Sequence, residues 1–382
     1  MNDPDARLSI LYLRSSVHCT GLERRLLLLA DAARRAGFAP RLAVLYRPNA
    51  ARPPHHPLIA RAEACGVPII QIADPSPLAW SPLRQIGRLI REYRPAIIHT
   101  QDYRTDFLAW VATRSERRPP ALVATCHGHT AASGLLRTYE ALDRRILRSF
   151  DRVIGASHYQ CRLMAGWGIP SSYIAWVPHP VEPAWQENLP PAIVRRVRER
   201  LDVSENEVLI GYFGRNSPEK GLETLLAAFQ RVRVEHPTMR LAIFGEAPSP
   251  KRLPAGAVHA GYVDDVRPAM QACDLIVIPS QREAFGLVAL EALALGRPVI
   301  ASRVGGLAEI VRHGETGRLV EPADPDSLAS AIREARRDWP ATLLMAQRGR
   351  QDVWARFPAC EILQDMIALY HSVQKARYRR WG

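Results

Sequence analysis

Lysine is almost missing from this chain. Of 51 basic residues only Lys220, Lys251 and Lys375 are lysines. So strong an arginine bias reads as compositional drift and not as a nucleic-acid signature, because no zinc-finger spacing, RNP aromatic pattern or basic zipper accompanies it. Cysteine is sparse too. Cys19, Cys65, Cys126, Cys161, Cys273 and Cys360 never form C-x-x-C, so no zinc or disulfide framework is supported and reduced thiols in a cytosolic protein are expected. The longest apolar stretches, such as Leu26–Ala30 and Leu275–Pro279, fall far short of the ~20 residues that span a bilayer. No charged region followed by an apolar one opens the chain, so a secreted protein is not expected. Neither G-x-G-x-x-G after a strand nor G-x-x-x-x-G-K-[ST] occurs. Gly211 and Gly214 have the wrong spacing. A nicotinamide dehydrogenase and a P-loop NTPase are thereby disfavoured, as are a zincin and a Ser/His/Asp hydrolase on the same kind of search.

What is present is an ordinary globular composition. With 382 residues, 47% of them apolar and 23% charged, the chain has room for two or three domains, each with a full core. The net charge is +13, unevenly spread. Residues 1–190 hold 24 Lys+Arg against 15 Asp+Glu, an excess of 9, whereas residues 191–382 hold 27 against 23, an excess of 4. An anionic membrane surface or acidic small molecules fit such a bias, with no nucleic acid among the expected partners.

Short β-branched runs alternate with helical patterns. In the first half the strands are expected at Leu8–Leu13, Pro40–Leu45, Val67–Ile72, Ala96–His99, Leu122–Thr125 and Arg152–Gly155. Leu22, Leu26, Leu29 and Ala33 repeat at helical spacing between them. Strands this apolar belong to a parallel sheet covered by helices on both faces. From Pro178 to Pro191 five prolines fall within fourteen residues, which reads as an extended connection. The alternation then restarts: strands at Val208–Phe213, Arg240–Phe244, Leu275–Ile278 and Pro298–Ala301, helices at Leu222–Arg233, Gly286–Leu295 and Pro325–Arg336. The fold class is therefore α/β, with two doubly wound domains facing across a cleft.

Ligands of open α/β sheets bind beyond the carboxyl ends of the strands. The strand ending at Ile278 runs into Pro279–Phe285 and then a helix near Gly286. The first amides of that helix suit a phosphate, and a glycine there lets a ligand approach the backbone. Glu291 stands alone in an apolar helical run. A buried carboxylate needs fixed donors, either ribose hydroxyls or a structural partner. Glu283 lies eight residues earlier. In Gly211-Tyr-Phe-Gly-Arg-Asn-Ser-Pro-Glu-Lys-Gly-Leu222, Arg215 and Lys220 bracket a loop, where they either converge on a diphosphate or are solvated. In the first half, Arg14 to Glu23 forms a candidate phosphate- or acceptor-facing loop containing Gly21. His127, just past the strand Leu122–Thr125, either faces the cleft or is structural. Asp324-Pro-Asp326 looks like a metal motif but sits where a helix N-cap belongs.

Together these segments resemble the family-4 retaining glycosyltransferases of the GT-B fold, over nearly the whole chain. Glu283 to Glu291 is similar to that family's E-x7-E motif. Arg215 to Gly221 matches its G-R-x-x-x-x-K-G segment, and Arg94-Pro-Ala-Ile-Ile-His99 and Thr125-Cys-His-Gly128 its first-domain strand ends. Thr20-Gly21 stands where the family often has Gly-Gly, and Pro178-His-Pro-Val-Glu182 where it has Pro-Asn-Gly-Val-Asp. The resemblance implies that Glu291 binds the ribose of a nucleotide sugar and that Glu283 sits near the sugar ring. It implies that Phe285, Gly286 and Leu287 offer backbone groups to sugar and phosphate, that Arg215 and Lys220 hold the diphosphate, and that His127 faces the donor sugar.

The expected protein is a hexosyltransferase-type enzyme with no cofactor and no metal. It would move a sugar from a UDP- or GDP-linked donor to a glycan or lipid-linked acceptor, with retention. A sugar-nucleotide epimerase of similar fold and a non-catalytic nucleotide-sugar-binding partner are the alternatives. Residues 1–182 form the expected N-terminal, acceptor-binding domain and residues 183–360 the donor-binding domain, with 361–382 a helix returning to the first. A cytoplasmic location is expected, either free or peripheral at the inner membrane face. Leu135, Tyr139, Leu142, Ile146 and Phe150 lie near one helical stripe among Arg137, Arg144, Arg145, Arg148 and Arg152. This gives two readings: a helix inserting its apolar side into an anionic bilayer, or a domain helix packed on its sheet with solvated arginines.

Overall fold

The computed structural model describes residues 8–16, 21–48, 57–76, 79–128, 134–246 and 253–381, with backbone alone at 57, 134–136 and 378–381. The chain divides into two compact units, residues 1–179 with 360–382, and residues 180–359.

The first unit alternates strands and helices: β1 (Ser9–Ser15), α1 (Gly21–Arg35), β2 (Ala39–Tyr46), α2 (Pro57–Ala64), β3 (Ile69–Ala73), α3 (Ser81–Tyr93), β4 (Ile97–Thr100), α4 (Tyr103–Thr113), β5 (Ala121–Cys126), α5 (Gly134–Leu147), β6 (Arg152–Gly155), α6 (His158–Gly166) and β7 (Ile174–Trp176). Its seven-stranded parallel sheet has the order β3-β2-β1-β4-β5-β6-β7. The central strands are short apolar runs buried on both faces. Leu11, Leu13, Leu45, Ile98 and Val153 meet Leu108, Phe150 and Met164 in one core. Local chemistry starts the helices. Asp102 caps α4 by accepting from the Arg104 and Thr105 amides, and Thr105 returns the bond to the cap's own amide.

The second unit holds α7 (Pro191–Arg200), β8 (Val208–Gly214), α8 (Leu222–Glu235), β9 (Met239–Gly245), β10 (Ala257–Gly261), α9 (Arg267–Ala272), β11 (Leu275–Ile278), α10 (Leu287–Ala294), β12 (Val299–Ser302), α11 (Leu307–Ile310), β13 (Arg318–Val320), α12 (Pro325–Arg337) and α13 (Trp339–Arg356). Its parallel sheet runs β10-β9-β8-β11-β12-β13. Leu225, Phe229, Ile243, Val277, Ile300 and Ile332 anchor its core. Asp324 is an N-cap, accepting from the Asp326 and Ser327 amides at the head of α12. The helix α14 (Ala359–Trp381) belongs from Cys360 onward to the first unit, where Tyr370 is fully buried and its hydroxyl lies 2.7 Å from His99 Nδ1.

In each sheet the chain winds outward in both directions from one pair of strands, β1 and β4 in the first and β8 and β11 in the second. The crevice at that reversal is where doubly wound sheets hold ligands. The proline-rich segment is less extended than its composition suggests. Pro183–Trp185 forms a 3-10 turn that buries Trp185, and Pro191 opens α7. Proline suits the first turn of a helix as well as an extended chain, because its missing amide would be unpaired there anyway.

Candidate functional site

In the second unit the loops after β8 and β11 meet at the reversal. Lys220 Nζ lies 2.7 Å from Glu283 Oε2, and the Ser280 hydroxyl donates to the same oxygen at 3.3 Å. The loops are locked by backbone as well. The amides of Gln281 and Arg282 donate to the Glu219 carbonyl, at 2.8 and 3.3 Å. Gly221 has φ +66°, and a Cβ there would stand 2.0 Å from the Pro279 carbonyl oxygen. Only glycine permits both that conformation and that approach. A third loop joins through Gly306, whose amide donates to the Glu283 carbonyl at 3.1 Å and whose missing Cβ makes room for Phe285.

Arg215 lies apart from this pair. Its side chain is 64% exposed and its Nη2 is 3.2 Å from Glu219 Oε1. Phe285 is buried, edge-on to Phe357 at 5.9 Å. Gly286 caps α10 with φ +106°, and Leu287 is the first, half-buried residue of that helix. The space beside Gly286 is filled: a Cβ would sit 2.7 Å from Leu307 Cδ2. Glycine is therefore required by the turn and by Leu307, which takes the place a side chain would fill. Glu291 is buried in α10.

Gly21 and His127 belong to the first unit. Gly21 opens α1 beyond the carboxyl end of β1. The rest of its loop, residues 17–20, lies outside the described residues, as does His129. His127 follows β5, and its Nε2 is 2.9 Å from Gln101 Oε1 beyond β4. His179 stacks on the His127 ring, with centroids 5.4 Å apart and planes 14° apart. Burial, then His179, Arg14 and His99, hold the His127 imidazolium well below the ordinary histidine range. Burial and then Arg25 push His179 down to about 3. Both rings are neutral at pH 7. Beside them, half-buried Arg14 at the end of β1 ties the start of α1 to the segment after β4, with Nε 2.8 Å from Glu23 Oε1 and Nη1 3.1 Å from the Gln101 carbonyl.

Sequence reasoning missed Glu219, Ser280, Gln101 and His179. Glu219 carried a signal, an acid inside a loop otherwise chosen for its cations. His179 carried another, since it stands where the resembled family has asparagine. Gln101 carried none, because it gains meaning only when β4 lies beside β5.

The inserting-stripe reading of α5 is overturned. Ile146 and Phe150 are buried in the core while Leu142 is 43% exposed. The inward face also carries Glu140 and Asp143, at 9% and 3% exposure. Among the described side chains, the stripe is therefore not a continuous free apolar face. The arginines are solvated or locally engaged: Arg137, Arg145 and Arg148 are exposed, and Arg144 lies 3.5 Å from Glu140 and over the Trp167 ring. Among the described residues no helix is long and apolar enough to cross a membrane, and no cluster of three His, Cys, Asp or Glu side chains is placed to hold a metal ion.

Comparison with known proteins decides the family. The model described as Glycosyltransferase Family 4 matches residues 20–185, and that of Glycosyl transferases group 1 matches residues 207–338. This chain belongs to the family-4 glycosyltransferases. It is 31% identical over 198 residues to an uncharacterised glycosyltransferase of Methanocaldococcus jannaschii, covering 49% of each chain. It is 29% identical to glycogen synthase of Mycobacterium tuberculosis over 70% of this chain and 66% of that one. The chain thus spans about half to two thirds of the length of these curated relatives. Its fold matches the crystal structure of Anabaena HepE in complex with UDP-glucose. The TM-score is 0.81 at 22% identity, over 96% of this chain and all of that one. Both units are Rossmann-like, as in GT-B glycosyltransferases.

Proposed function

We propose that this family-4 glycosyltransferase moves a hexose from a UDP- or GDP-linked donor to a glycan or lipid-linked acceptor, with retention of configuration and without a metal. The observation that carries the reading is the contact of Lys220 with Glu283 at 2.7 Å, where the loops after β8 and β11 meet ahead of α10. A cation and a carboxylate at the reversal point of a doubly wound sheet suit a diphosphate and the sugar attached to it. HepE, whose fold this chain shares, was solved with UDP-glucose bound, which supports a nucleotide sugar as donor.

In this mechanism Lys220 turns from Glu283 to the diphosphate, and Arg215 swings in from solvent. The first amides of α10 add their dipole end, with Phe285, Gly286 and Leu287 offering backbone groups. Glu291 binds the ribose and Glu283 stays near the sugar ring. Neutral His127 faces the donor sugar, and the loop at Gly21 faces donor phosphate or acceptor. Catalysis is positioning plus stabilisation of the leaving diphosphate. The bond from anomeric carbon to phosphate oxygen breaks and the bond to the acceptor oxygen forms on the same face. The acceptor proton passes to the departing phosphate oxygen, and no cofactor takes part. The enzyme works in the cytoplasm on glycan, polysaccharide or glycolipid synthesis.

Thermal unfolding with UDP, GDP and ADP tests the donor site. The matching nucleotide at about 100 times its Kd stabilises by about 2.7 kcal/mol, and no shift with any of them overturns the reading. Activity is expected to survive excess EDTA. Loss restored by Mn²⁺ or Mg²⁺ counts against the cation mechanism. An altered nucleotide sugar formed without acceptor identifies an epimerase instead.

A further inference from the structure

The ends of β4 and β5 place one histidine under unusual control. His99, in β4, has both ring nitrogens engaged, Nδ1 by the Tyr370 hydroxyl and Nε2 by the Thr125 hydroxyl, each at 2.7 Å. His127 differs. Its Nε2 is 2.9 Å from Gln101 Oε1, while its Nδ1 is buried and, among the described residues, has no hydrogen-bond partner. Gln101 is 5% exposed, and its side-chain Nε2 is likewise buried without a partner among the described residues. Native structures rarely leave two such atoms in one hydrogen-bonded pair, and each requires a reason. His179, stacked on the ring, holds the face of the imidazole while Gln101 holds its edge.

We propose that Gln101 is a positioning residue: its amide oxygen keeps the proton on His127 Nε2, so that Nδ1 is presented as an acceptor to a substrate hydroxyl, with the Gln101 amide N–H as a donor beside it. The inference rests on the reading that His127 faces the donor sugar. A hydroxyl both donates and accepts, so it suits a bare lone pair next to an N–H. A phosphate oxygen only accepts and is refused by Nδ1 in this tautomer. Among the described residues, the charged or titratable groups that bear on the ring are His179, Arg14 and His99. None is acidic, so nothing favours the imidazolium, in which Nδ1 would become a donor. A neutral amide at 101 preserves that state, whereas a carboxylate there would draw a second proton onto the ring.

Nitrogen-15 NMR of the full chain with labelled histidine tests this, the His127 signals being identified by their loss in His127→Asn. In the unliganded wild type at pH 7, Nδ1 is expected to resonate as a bare ring nitrogen and Nε2 as a protonated one. Gln101→Leu is expected to give averaged signals from both tautomers, and Gln101→Glu to move both nitrogens towards the imidazolium position. A wild-type ring protonated on Nδ1, or a Gln101→Leu spectrum identical to the wild type, overturns the proposal. The wild-type spectrum decides the tautomer even where a variant folds poorly. UDP-glucose or GDP-mannose, whichever carries the nucleotide that stabilises the protein, is expected to shift the Nδ1 signal, and that nucleotide alone to leave it in place. An Nδ1 signal unmoved by both nucleotide sugars, with the tautomer results intact, overturns the substrate-facing reading of His127 while tautomer control by Gln101 stands.

Discussion

Lys220 and Glu283 neutralise each other in the unliganded molecule, and this sets what their substitution does. A diphosphate has to compete with Glu283 for the ammonium. Lys220→Ala removes a charge-assisted contact worth about 1.5–3 kcal/mol, which is roughly 10- to 150-fold in affinity or turnover. Arg215→Ala is expected at the low end of that range, because its guanidinium is 64% exposed and screened by solvent. Titration calorimetry with the nucleotide that stabilises the protein reads both, and unchanged binding and turnover in both variants contradicts the phosphate role. The two carboxylates separate by another route. Glu283→Gln releases Lys220, so the free nucleoside diphosphate binds as tightly or tighter while sugar transfer falls. Glu291→Ala weakens the free nucleotide itself. Parallel loss of nucleotide affinity in both variants counts against this division of labour.

At the scale of elements, the Lys220–Glu283 site of the second unit depends on two loops being held together. Gly221 is the pin, with a left-handed backbone and the Pro279 carbonyl oxygen where a side chain would begin. Gly221→Ala adds about 1–2 kcal/mol of backbone strain before the clash is relieved. Urea unfolding is expected to show that loss, with nucleotide affinity falling as the loops part. Affinity equal to the wild type means that the loops are not coupled. In the first unit, α4 and α5 share a different feature. Asp106 and Asp143 are both buried, and burial, with Asp143 adding, raises the Asp106 pKa well above the usual carboxylate range. The folded state therefore holds its proton more tightly than the unfolded one. The stabilisation is complete below about pH 4, where unfolded aspartate ionises, and fades as pH rises through the folded pKa. Asp106→Asn removes this titration. Its melting midpoint is expected to gain on the wild type at pH 8 relative to pH 5, and a constant difference between the two pH values refutes the assignment.

For the whole molecule, the excess positive charge is the property with the widest reach. The net charge is +13, with an excess of 9 in residues 1–190. Arg137 and Arg145 of α5 are exposed, while its Ile146 and Leu147 are buried in the core. Any attraction to a lipid-linked acceptor's membrane is then electrostatic, at about 1 kcal/mol per well-placed arginine, and disappears in salt. Sedimentation with anionic liposomes is expected to bring the protein down at low ionic strength and release it at high, with neutral liposomes inert. Equal, negligible binding to both removes the membrane and favours a soluble acceptor. Salt-resistant binding points to an inserted apolar surface that α5 does not provide.

Much of this protein was legible in one dimension because its signals are local. The central strands are apolar on both faces, so Leu275–Ile278 declares itself without its neighbours. Asp324 declares the start of α12 through its own cap bonds. The loop motifs at Arg215–Gly221 and Glu283–Glu291 are read from residues close in the chain. The edge strands β7, β10 and β13 were not legible, since each is only three to five residues long and none is buried throughout. The inward face of α5 was misread because two of its buried positions are acidic. What only the tertiary structure decided is which distant residues meet. Glu283 lies 63 residues from Lys220, Gln101 lies 26 from His127, and Tyr370 lies 271 from His99. Each meeting follows from the order of strands and from where α14 docks. Those choices are made by burial summed over whole elements, and no single residue in the sequence records them.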